Sequence, residues 1–289
     1  MRNCMHFIVA LVGILFLSNT VAAEKVVVIP LNSVKKLMNV VTVSAKGGDF
    51  TDPVAAVKSI TDAAAANPYL VLIGPGIYTL TQTLVMKPFV TISGSGQDAT
   101  TLTGAISSST VATSAMVSGA DNATLSNLTI INTGGSTASI ALYNDNSSPV
   151  IHSVTARASG GNGNVGVLNV NSSSPTLTDM TVEASGGSEC YGVSNNNSSS
   201  ALYMNGVTVI AKGGTENYGV GNAGNSIVSI TNSKIIGIDG THYAIKVDDS
   251  TGAAIVSRSS IMGGVLSSGT LTCLQSDNGL TYELGPACI

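Results

Sequence analysis

The chain has 289 residues, a formal net charge of −4 at pH 7, only 10% charged and 4% aromatic residues, and no Trp. Without a basic excess, nucleic acid is not an expected partner. Its apolar residues alternate with Ser, Thr and Asn, which favours β-structure over disorder, and the length suffices for one domain with a sizeable core.

The N-terminus has the pattern of a secretory signal. Arg2 supplies the positive end, an apolar run extends over Phe7 to Phe16, and Val21-Ala22-Ala23 forms a small-residue cleavage site. The sequence therefore predicts a signal peptide over residues 1–23, and the apolar run is too short to span a bilayer. We expect a secreted protein, extracellular or periplasmic, with no membrane contact once the signal is removed.

After a lead segment over residues 24–40, the predicted β domain occupies residues 41–289. It opens with a strand at Val41–Ala45, and Asp52-Pro53 has the pattern of an N-cap and first helical residue. We expect a short cap helix over about 52–65 that covers the open end of the sheet. Strands at Leu70–Ile73 and Val90–Ser93 would follow.

A repeat of about 26 residues then dominates the chain, and it predicts a stacked array of similar coils. The stretch from Ser148 to Gly161 reappears from Ser174 to Gly187, and again from Ser200 to Gly214. We expect regular coils over about 115–262, each carrying two short strand signals separated by turns.

Residues at equal positions of the repeat form columns. Because side chains alternate along a strand, two apolar columns should point inward with a Thr column between them pointing to water. A third apolar column marks the second strand, Gly marks one corner, and Asn and Ser mark another. A polar ladder at one bend precedes the first strand. The two inward apolar columns are Leu128, Val154, Met180, Val207 and Ile130, Ala156, Val182, Val209, Ile235, Ile261, and the Thr column between them is Thr129, Thr155, Thr181, Thr208. The apolar column of the second strand is Val167, Val193, Val220, the Gly corner is Gly135, Gly161, Gly187, Gly214, Gly240, and the Asn/Ser corner is Asn144–Ser148, Asn171–Ser174, Asn195–Ser198. The polar ladder is Asn127, Ser153, Asp179, Gly206, Asn232.

The C-terminal segment, residues 263–289, should close the last coil with strands near Leu271–Cys273 and Leu280–Tyr282. Cys273 and Cys288 flank a hairpin-like segment, and we expect them to form a disulfide in an exported protein. Cys190 is then left over. A buried or lightly exposed free thiol is the favoured interpretation over a catalytic one, because no His lies in a partnering motif.

The fold class indicated by these patterns is all-β, a single-stranded parallel β-helix with an N-terminal cap helix. Val43-Ser44-Ala45-Lys46-Gly47-Gly48-Asp49-Phe50-Thr51, Val71-Leu72-Ile73-Gly74-Pro75-Gly76-Ile77-Tyr78 and Ile92-Ser93-Gly94-Ser95-Gly96 resemble the opening of pectin methylesterases. The resemblance covers roughly Val41 to Gly104 and implies the right-handed β-helix of the pectin lyase-like superfamily.

The catalytic motifs of that family are missing. Its Gln-Asp-Thr, Asp-Phe-Ile-Phe-Gly and Leu-Gly-Arg-Pro-Trp segments do not occur in this chain. Gln97-Asp98-Ala99-Thr100 echoes the first of them, but it lies in an early Gly-rich turn, and we interpret it as turn chemistry.

Few titratable residues remain as candidates for catalysis. Arg157 and Glu183 fall in one outward column on neighbouring coils, which favours a surface ion pair over a catalytic site. Asp248 and Asp249, near His242 and Lys246, form the densest charged cluster. Adjacent residues on a strand point to opposite faces, so a shared site would need a turn there. We expect no cofactor and no dedicated metal site, with a weak Ca²⁺ site at this aspartate pair left open.

Three functions follow as hypotheses. The favoured one is an exported, non-catalytic solenoid whose flat face binds a polysaccharide, a cell-surface glycan or a protein, with Tyr191, Tyr218, Thr155 and Thr181 as binding candidates. The alternative is a polysaccharide-active enzyme of the esterase, lyase or hydrolase type with an unrecognised site at Arg157, Glu183, Asp248 or Asp249.

The third hypothesis is ice binding through the exposed Thr column, which is narrow for that purpose because Lys234 ends it. A bacterial host is also expected. Asn127 begins a glycosylation sequon, yet it falls in the predicted polar ladder, where a glycan would not fit.

Overall fold

The computed structural model describes residues 39–108, 110, 112–135, 137–196, 200–279, 284–286 and 288 of the chain, and its compact unit runs from Asn39 to Ile289. The predicted signal and the lead segment as far as residue 38 lie outside the described residues, as does the predicted strand near Leu280–Tyr282. Among the described residues, none belongs to a helix of the length and apolarity that a bilayer crossing requires.

Twenty-four strands, one short α-helix and one 3-10 turn make up the described chain. In chain order they are β1 (Val40–Val43), α1 (Pro53–Ser59), β2 (Tyr69–Ile73), β3 (Gly76–Thr79), β4 (Leu84–Val85), β5 (Val90–Ser93), β6 (Thr100–Gly104), a 3-10 turn (Ala112–Ser114), β7 (Ala115–Ser118), β8 (Thr124–Asn132), β9 (Ala138–Asp145), β10 (Val150–Ser159), β11 (Gly163–Val170), β12 (Thr176–Thr178), β13 (Thr181–Ser185), β14 (Glu189–Asn195), β15 (Ala201–Asn205), β16 (Thr208–Lys212), β17 (Glu216–Asn222), β18 (Ile227–Thr231), β19 (Lys234–Gly237), β20 (Thr241–Val247), β21 (Ala253–Ser257), β22 (Ser260–Met262), β23 (Gly264–Ser267) and β24 (Thr270–Leu274).

The strands form a right-handed parallel β-helix, as the repeat and the resemblance predicted. The terminal strands β1 and β24 stand as single segments at the two ends, and each complete coil contributes three strand segments. The first two belong to a 16-stranded sheet bent along its length, which β8 and β10 cross without interruption. The third belongs to an 8-stranded sheet in the order β23-β20-β17-β14-β11-β9-β7-β4. The sequence revealed the second and third segments but missed the first one, which the bend separates from the second.

The predicted apolar columns form the core. Val167, Val193 and Val220 are in register on neighbouring strands and have no exposed surface. The columns headed by Leu128 and Ile130 are equally buried along their length. Burying a stack of like side chains between coils supplies the main stabilising term for such a fold, because a single coil cannot enclose a core alone.

One left-handed residue per coil makes the bend in the 16-stranded sheet, which confirms the predicted ladder position. Asn127, Ser153, Asp179 and Asn232 have φ values of 57°, 53°, 51° and 49°, and Gly206 has 67°. Asn, Asp and Gly tolerate this conformation better than other residues do. Side-chain hydrogen bonds also link the ladder residue Asn232 to the coils on either side. Its Nδ2 donates to Asn205 Oδ1 at 2.9 Å, and Arg258 Nε donates to its Oδ1 at 3.0 Å.

A substitution at Ser153 tests this bend. Because a β-branched side chain clashes with the backbone at φ 53°, we expect Ser153→Val to lower the free energy of unfolding by about 1–2 kcal/mol. Ser153→Asn is the matched control and should remain within about 0.5 kcal/mol of the parent. Urea unfolding followed by circular dichroism measures both, and equal stability of the two variants would contradict a bend set by this residue.

Buried asparagines lie in or beside the predicted Asn/Ser corners, and the sequence did not reveal that they are buried. Asn144, Asn169, Asn195 and Asn222 have no exposed surface, and their side chains lie inside the solenoid. Asn144 Nδ2 donates to Asn169 Oδ1, and Asn195 Nδ2 donates to Asn222 Oδ1, each at 2.8 Å. Each of these two pairs therefore joins two neighbouring coils through a buried amide hydrogen bond.

The cap helix is shorter than predicted. It begins as expected, with the Asp52 carboxylate accepting a hydrogen bond from Val54 N–H at 2.9 Å and Pro53 at its first position, but it ends at Ser59 rather than near Ala65. The Lys87 ammonium donates to the carbonyls of Lys58 and Ile60, and Ile60 is extended and buried. A tertiary contact thus ends the helix early by satisfying its last carbonyls.

At the other end of the solenoid, Cys273 and Cys288 form a disulfide across 15 residues of sequence. Both side chains belong to the core cluster. Cys273 lies in β24, so the link ties the C-terminal segment to the last strand of the 16-stranded sheet.

Candidate functional site

The outer face of the 8-stranded sheet carries an unusual concentration of aromatic side chains. Tyr191, Tyr218 and Tyr243 are in register on β14, β17 and β20. The ring centroids of Tyr191 and Tyr218 are 4.8 Å apart, with the ring planes tilted by 30°. Those of Tyr218 and Tyr243 are 6.3 Å apart, with the ring planes nearly parallel. The repeat places equal residues on successive coils, so three tyrosines at one repeat position become a stack.

A cleft of about 250 Å³ lies beside the first ring of this stack. Next to the tyrosine column, a second outward-facing column contains Leu168 on β11, Ser194 on β14 and Gly221 on β17. The side chains in this column become smaller from coil to coil, and Gly221 has none. A Cβ on Gly221 would lie 2.8 Å from two ring carbons of Tyr191, which means that glycine is what lets the ring lie over this strand. The cleft is lined by Ala138, Ile140, Gly163, Val165, Leu168, Glu189, Tyr191, Ser194, Asn196, Gly221, Ala223 and Asp248.

The cleft combines an apolar end with an acidic rim. Ile140, Val165 and Leu168 supply the apolar end, whereas Glu189 and Asp248 supply carboxylates. Glu216 lies next to Glu189 in register, and its Oε2 accepts a hydrogen bond from the Tyr218 hydroxyl at 2.5 Å. Apolar surface with a few convergent polar groups is the usual composition of a ligand site, although this cleft is smaller than typical pockets of about 300–1,000 Å³.

Lys246 is a cation on this face that contacts both the tyrosine stack and the acidic rim. Its Nζ lies 4.4 Å from the centroid of the Tyr218 ring and 3.2 Å from Asp248 Oδ1. The cation–π contact and the ion pair together hold the lysine against the stack. Lys246 thereby fixes the Tyr218 ring on which Tyr191 rests.

The environment of Tyr191 and Tyr218 favours the protonated form of their hydroxyls. Burial raises the pKa of Tyr191 to about 12, with further contributions from the negative charges of Glu189, Asp248 and Glu216. Burial, followed by the hydrogen bond to Glu216, likewise raises the pKa of Tyr218. These phenols can therefore donate hydrogen bonds at any physiological pH, and they cannot act as bases.

The structure divides the predicted catalytic residues between two faces. Arg157 and Glu183 form the predicted ion pair, with 3.4 Å between Arg157 Nε and Glu183 Oε2, and Lys212 Nζ lies 2.7 Å from Glu183 Oε1. All three are on the 16-stranded sheet, and the side chains of Arg157 and Lys212 are about half exposed. Asp248 lies instead at the cleft on the 8-stranded sheet. The predicted residues thus do not converge, and the Arg157–Glu183–Lys212 cluster has the features of a surface ion-pair network.

Asp249 has a local role in a turn. Its Oδ1 accepts hydrogen bonds of 2.9 Å from the Thr251 backbone N–H and from the Thr251 hydroxyl, and these bonds lower its pKa. Asp248 next to it is paired with Lys246. No group of three His, Cys, Asp or Glu side chains in the described ranges is arranged to share a metal ion.

The Thr column does not face water along its whole length, contrary to the prediction. Thr129 Oγ1 donates to Gln97 O at 2.7 Å, and Thr155 Oγ1 lies 3.3 Å from Gln97 Oε1. Both threonines are 7% exposed because the turn that contains Gln97 folds over them. Thr155 is therefore not available as a binding residue, while Thr181 remains partly exposed. The covered end also removes the continuous Thr surface on which the ice-binding hypothesis depends.

The pattern that could have revealed the acidic rim is a repeated Glu-x-Tyr. Glu189-Cys190-Tyr191 and Glu216-Asn217-Tyr218 occupy equal positions on successive coils. Residues that are two positions apart on a strand lie on the same face of the sheet, so each glutamate points outward on the same side as its tyrosine. Glu189 and Glu216 were missed because each looks like an isolated charge when it is examined without its repeat partner.

Cys190 lies between Glu189 and Tyr191 on β14, with its side chain buried inside the solenoid, and we expect it to be unreactive. The thiol is free and fully buried, its Sγ donates to Gly186 O at 2.9 Å, and burial raises its pKa to about 11. At pH 8 the thiolate fraction should then be roughly 100-fold below that of an ordinary cysteine. Labelling by a thiol-specific disulfide reagent should be slow in the folded protein and fast in denaturant with the Cys273–Cys288 bond intact. Fast labelling of the folded chain would contradict this assignment.

The protein is therefore a parallel β-helix of the pectin lyase-like type, with an aromatic cleft on its 8-stranded sheet. A family model described as "Rhamnogalacturonase A/epimerase, pectate lyase-like" matches residues 37–265. The chain belongs to this family. No protein of curated function matches its sequence.

Solved structures agree with the fold. A pectate lyase, Pel9A, superposes with a TM-score of 0.61 at 15% identity, covering 86% of this chain and 72% of that one. A pectin methylesterase from carrot gives 0.59 at 16% identity and covers 86% of both chains. The pectin methylesterase PemA from Erwinia chrysanthemi gives 0.53 at 14% identity, covering 84% of this chain and 90% of that one. At these identities the likeness establishes the shared architecture.

Proposed function

We propose that the protein is an exported, non-catalytic β-helix that binds a polysaccharide segment in the cleft beside Tyr191. The observation that carries the proposal is the half-buried Tyr191 ring, supported from beneath by Gly221 and stacked at 4.8 Å on Tyr218. Flat apolar rings are the side chains against which sugar rings pack, and phenol hydroxyls and carboxylates bond the hydroxyls of sugars. The surface is a cleft rather than the flat face that the sequence suggested.

Export is part of the proposal. It is supported by the signal-like pattern at residues 1–23 and by the Cys273–Cys288 disulfide, because such bonds persist in oxidising compartments. The protein would then encounter glycans outside the cytoplasm. Similarity in fold to proteins that act on pectin makes plant cell-wall polysaccharides the first ligands to examine.

One observation favours a second function, a polysaccharide-active enzyme. Glu189 and Glu216 are paired in register at the cleft, and glycoside hydrolases use two carboxylates flanking the scissile bond. Tyr218 already bonds Glu216, and no arginine lies among the residues that line the cleft. We rank this function second because Arg157 and Glu183 lie on the other sheet, and Asp248, the catalytic candidate that does line the cleft, is ion-paired with Lys246.

The experiment that separates the two functions measures retention and turnover together. The mature chain from Glu24 onward is incubated with methylated pectin, unmethylated pectin, alginate and chitin, and both bound protein and released products are assayed. The proposal predicts retention on at least one polymer without products. Turnover that is lost in Glu189→Gln or Glu216→Gln would replace it with the enzymatic function.

A further inference from the structure

The electric charge of the cleft suggests which glycans it accepts. Glu189 and Asp248 line the cleft, and Glu216 adjoins them on the next strand. Lys246 Nζ lies 3.2 Å from Asp248, which offsets one of the three negative charges. Across the part of the chain that the structure describes, Glu189 and Glu216 have no ion pair. The cleft therefore presents an excess of negative charge beside its aromatic ring.

The hydrogen-bonding capacity of the acidic rim also favours a ligand without negative charge. An ionised carboxylate only accepts hydrogen bonds. Glu216 already accepts from the Tyr218 hydroxyl. Within the described residues no side-chain hydrogen bond or ion pair engages the Glu189 carboxylate, which leaves its oxygens to accept from a ligand. A neutral sugar supplies hydroxyl donors for these oxygens. The carboxylate of a uronic acid supplies none, and it adds a like charge.

We propose that the cleft selects uncharged glycan segments, meaning neutral sugars or methyl-esterified uronic acids, and excludes free uronates. This selectivity rests on the proposed binding function of the Tyr191 cleft. Removing the charge of a uronate by esterification keeps the sugar ring that packs on Tyr191 and abolishes the repulsion from Glu189 and Glu216. Like-charge repulsion near a protein surface changes affinity by roughly one power of ten.

The test uses two probes that differ only in charge: a fully methyl-esterified oligogalacturonide and the same oligomer after saponification. Calorimetric titration of the mature chain at low salt, with a chelator to remove bridging cations, should give at least about tenfold tighter binding of the ester. The gap should narrow at high salt, because roughly 1 M salt screens charges beyond about 3 Å. A neutral oligosaccharide, a short β-glucan, is titrated in parallel.

Two variants make the charge effect specific. Glu189→Gln should reduce the ratio of the two dissociation constants several-fold, since it removes a charge at the cleft with little change of shape. Glu183→Gln removes a charge from the opposite sheet and should leave that ratio as it is in the parent.

The outcomes distinguish this inference from the function on which it rests. If the saponified oligomer binds as well as the ester, and Tyr191→Ala weakens both, the charge selection is overturned and the cleft remains a glycan site. If neither the ester nor the β-glucan binds, the selectivity is overturned, and if the mature chain is also retained on none of the four polymers, the proposed binding function fails with it.

Discussion

Replacing Tyr191 by alanine is expected to weaken glycan binding by roughly 10- to 100-fold. An aromatic contact is worth about 0.5–1.5 kcal/mol beyond the apolar area that it buries, and the buried area adds about 25 cal/mol per Å². Tyr191 lines the cleft, whereas Tyr218 behind it is only 4% exposed and is not among the lining residues. Affinity electrophoresis or calorimetry with any polymer that the parent retains measures the change.

A matched control is available on another face. Tyr203 is 42% exposed on β15 of the 16-stranded sheet, so Tyr203→Ala removes an equal side chain without touching the cleft. This control should bind like the parent protein. Equal losses in Tyr191→Ala and Tyr203→Ala would show that tyrosines bind the polymer indiscriminately and would contradict a site at the cleft.

Truncating a side chain of the core is expected to destabilise the fold strongly. Ile130 has no exposed surface and lies in the inward column of β8, so Ile130→Ala should leave a cavity and lower the free energy of unfolding by about 2–5 kcal/mol. Urea unfolding monitored by circular dichroism gives this difference. The loss would be felt by the coils on both sides, since Ile130 pairs with Leu102 and with Ala156.

The adjacent residue serves as the control for Ile130. Ile131 points outward in the column that contains Arg157, and it is only partly buried. We expect Ile131→Ala to cost less than about 1 kcal/mol, because the site borders solvent and can relax. Similar losses for Ile130→Ala and Ile131→Ala would contradict the assignment of inward and outward columns.

The repeat made much of this fold predictable. Residues spaced by one coil must share an environment, so Leu128 and Ile130 could be placed inside with their equivalents, and Asn127 and Ser153 could be placed at a bend. The resemblance of the entry segment to pectin methylesterases added the handedness. These predictions depend on local periodicity, which sequence expresses directly.

Features that depend on contacts between distant segments were not predictable. The early end of the cap helix requires Lys87 to reach the carbonyls of Lys58 and Ile60. The cover over Thr129 and Thr155 requires the turn at Gln97 to fold across two coils. In both cases polarity and spacing are compatible with exposure, and only the tertiary contact decides otherwise.

The candidate site was found in part. Tyr191 and Tyr218 were selected from their equal positions in successive coils, and the structure stacks them. The cleft itself escaped prediction because it depends on a missing side chain at Gly221 in the neighbouring column, and the acidic rim escaped because Glu189 and Glu216 were not compared with each other. An absent side chain becomes informative only when the neighbours across the sheet are known.

The most direct test of the account is a crystal structure of the mature protein soaked with an oligosaccharide fragment of a polymer that it retains. We expect a sugar ring packed on Tyr191, with its hydroxyls donating to Glu189 or Asp248. A ligand bound instead at the Arg157–Glu183–Lys212 cluster, or elsewhere on the 16-stranded sheet with the Tyr191 cleft empty, would contradict the assignment of the site.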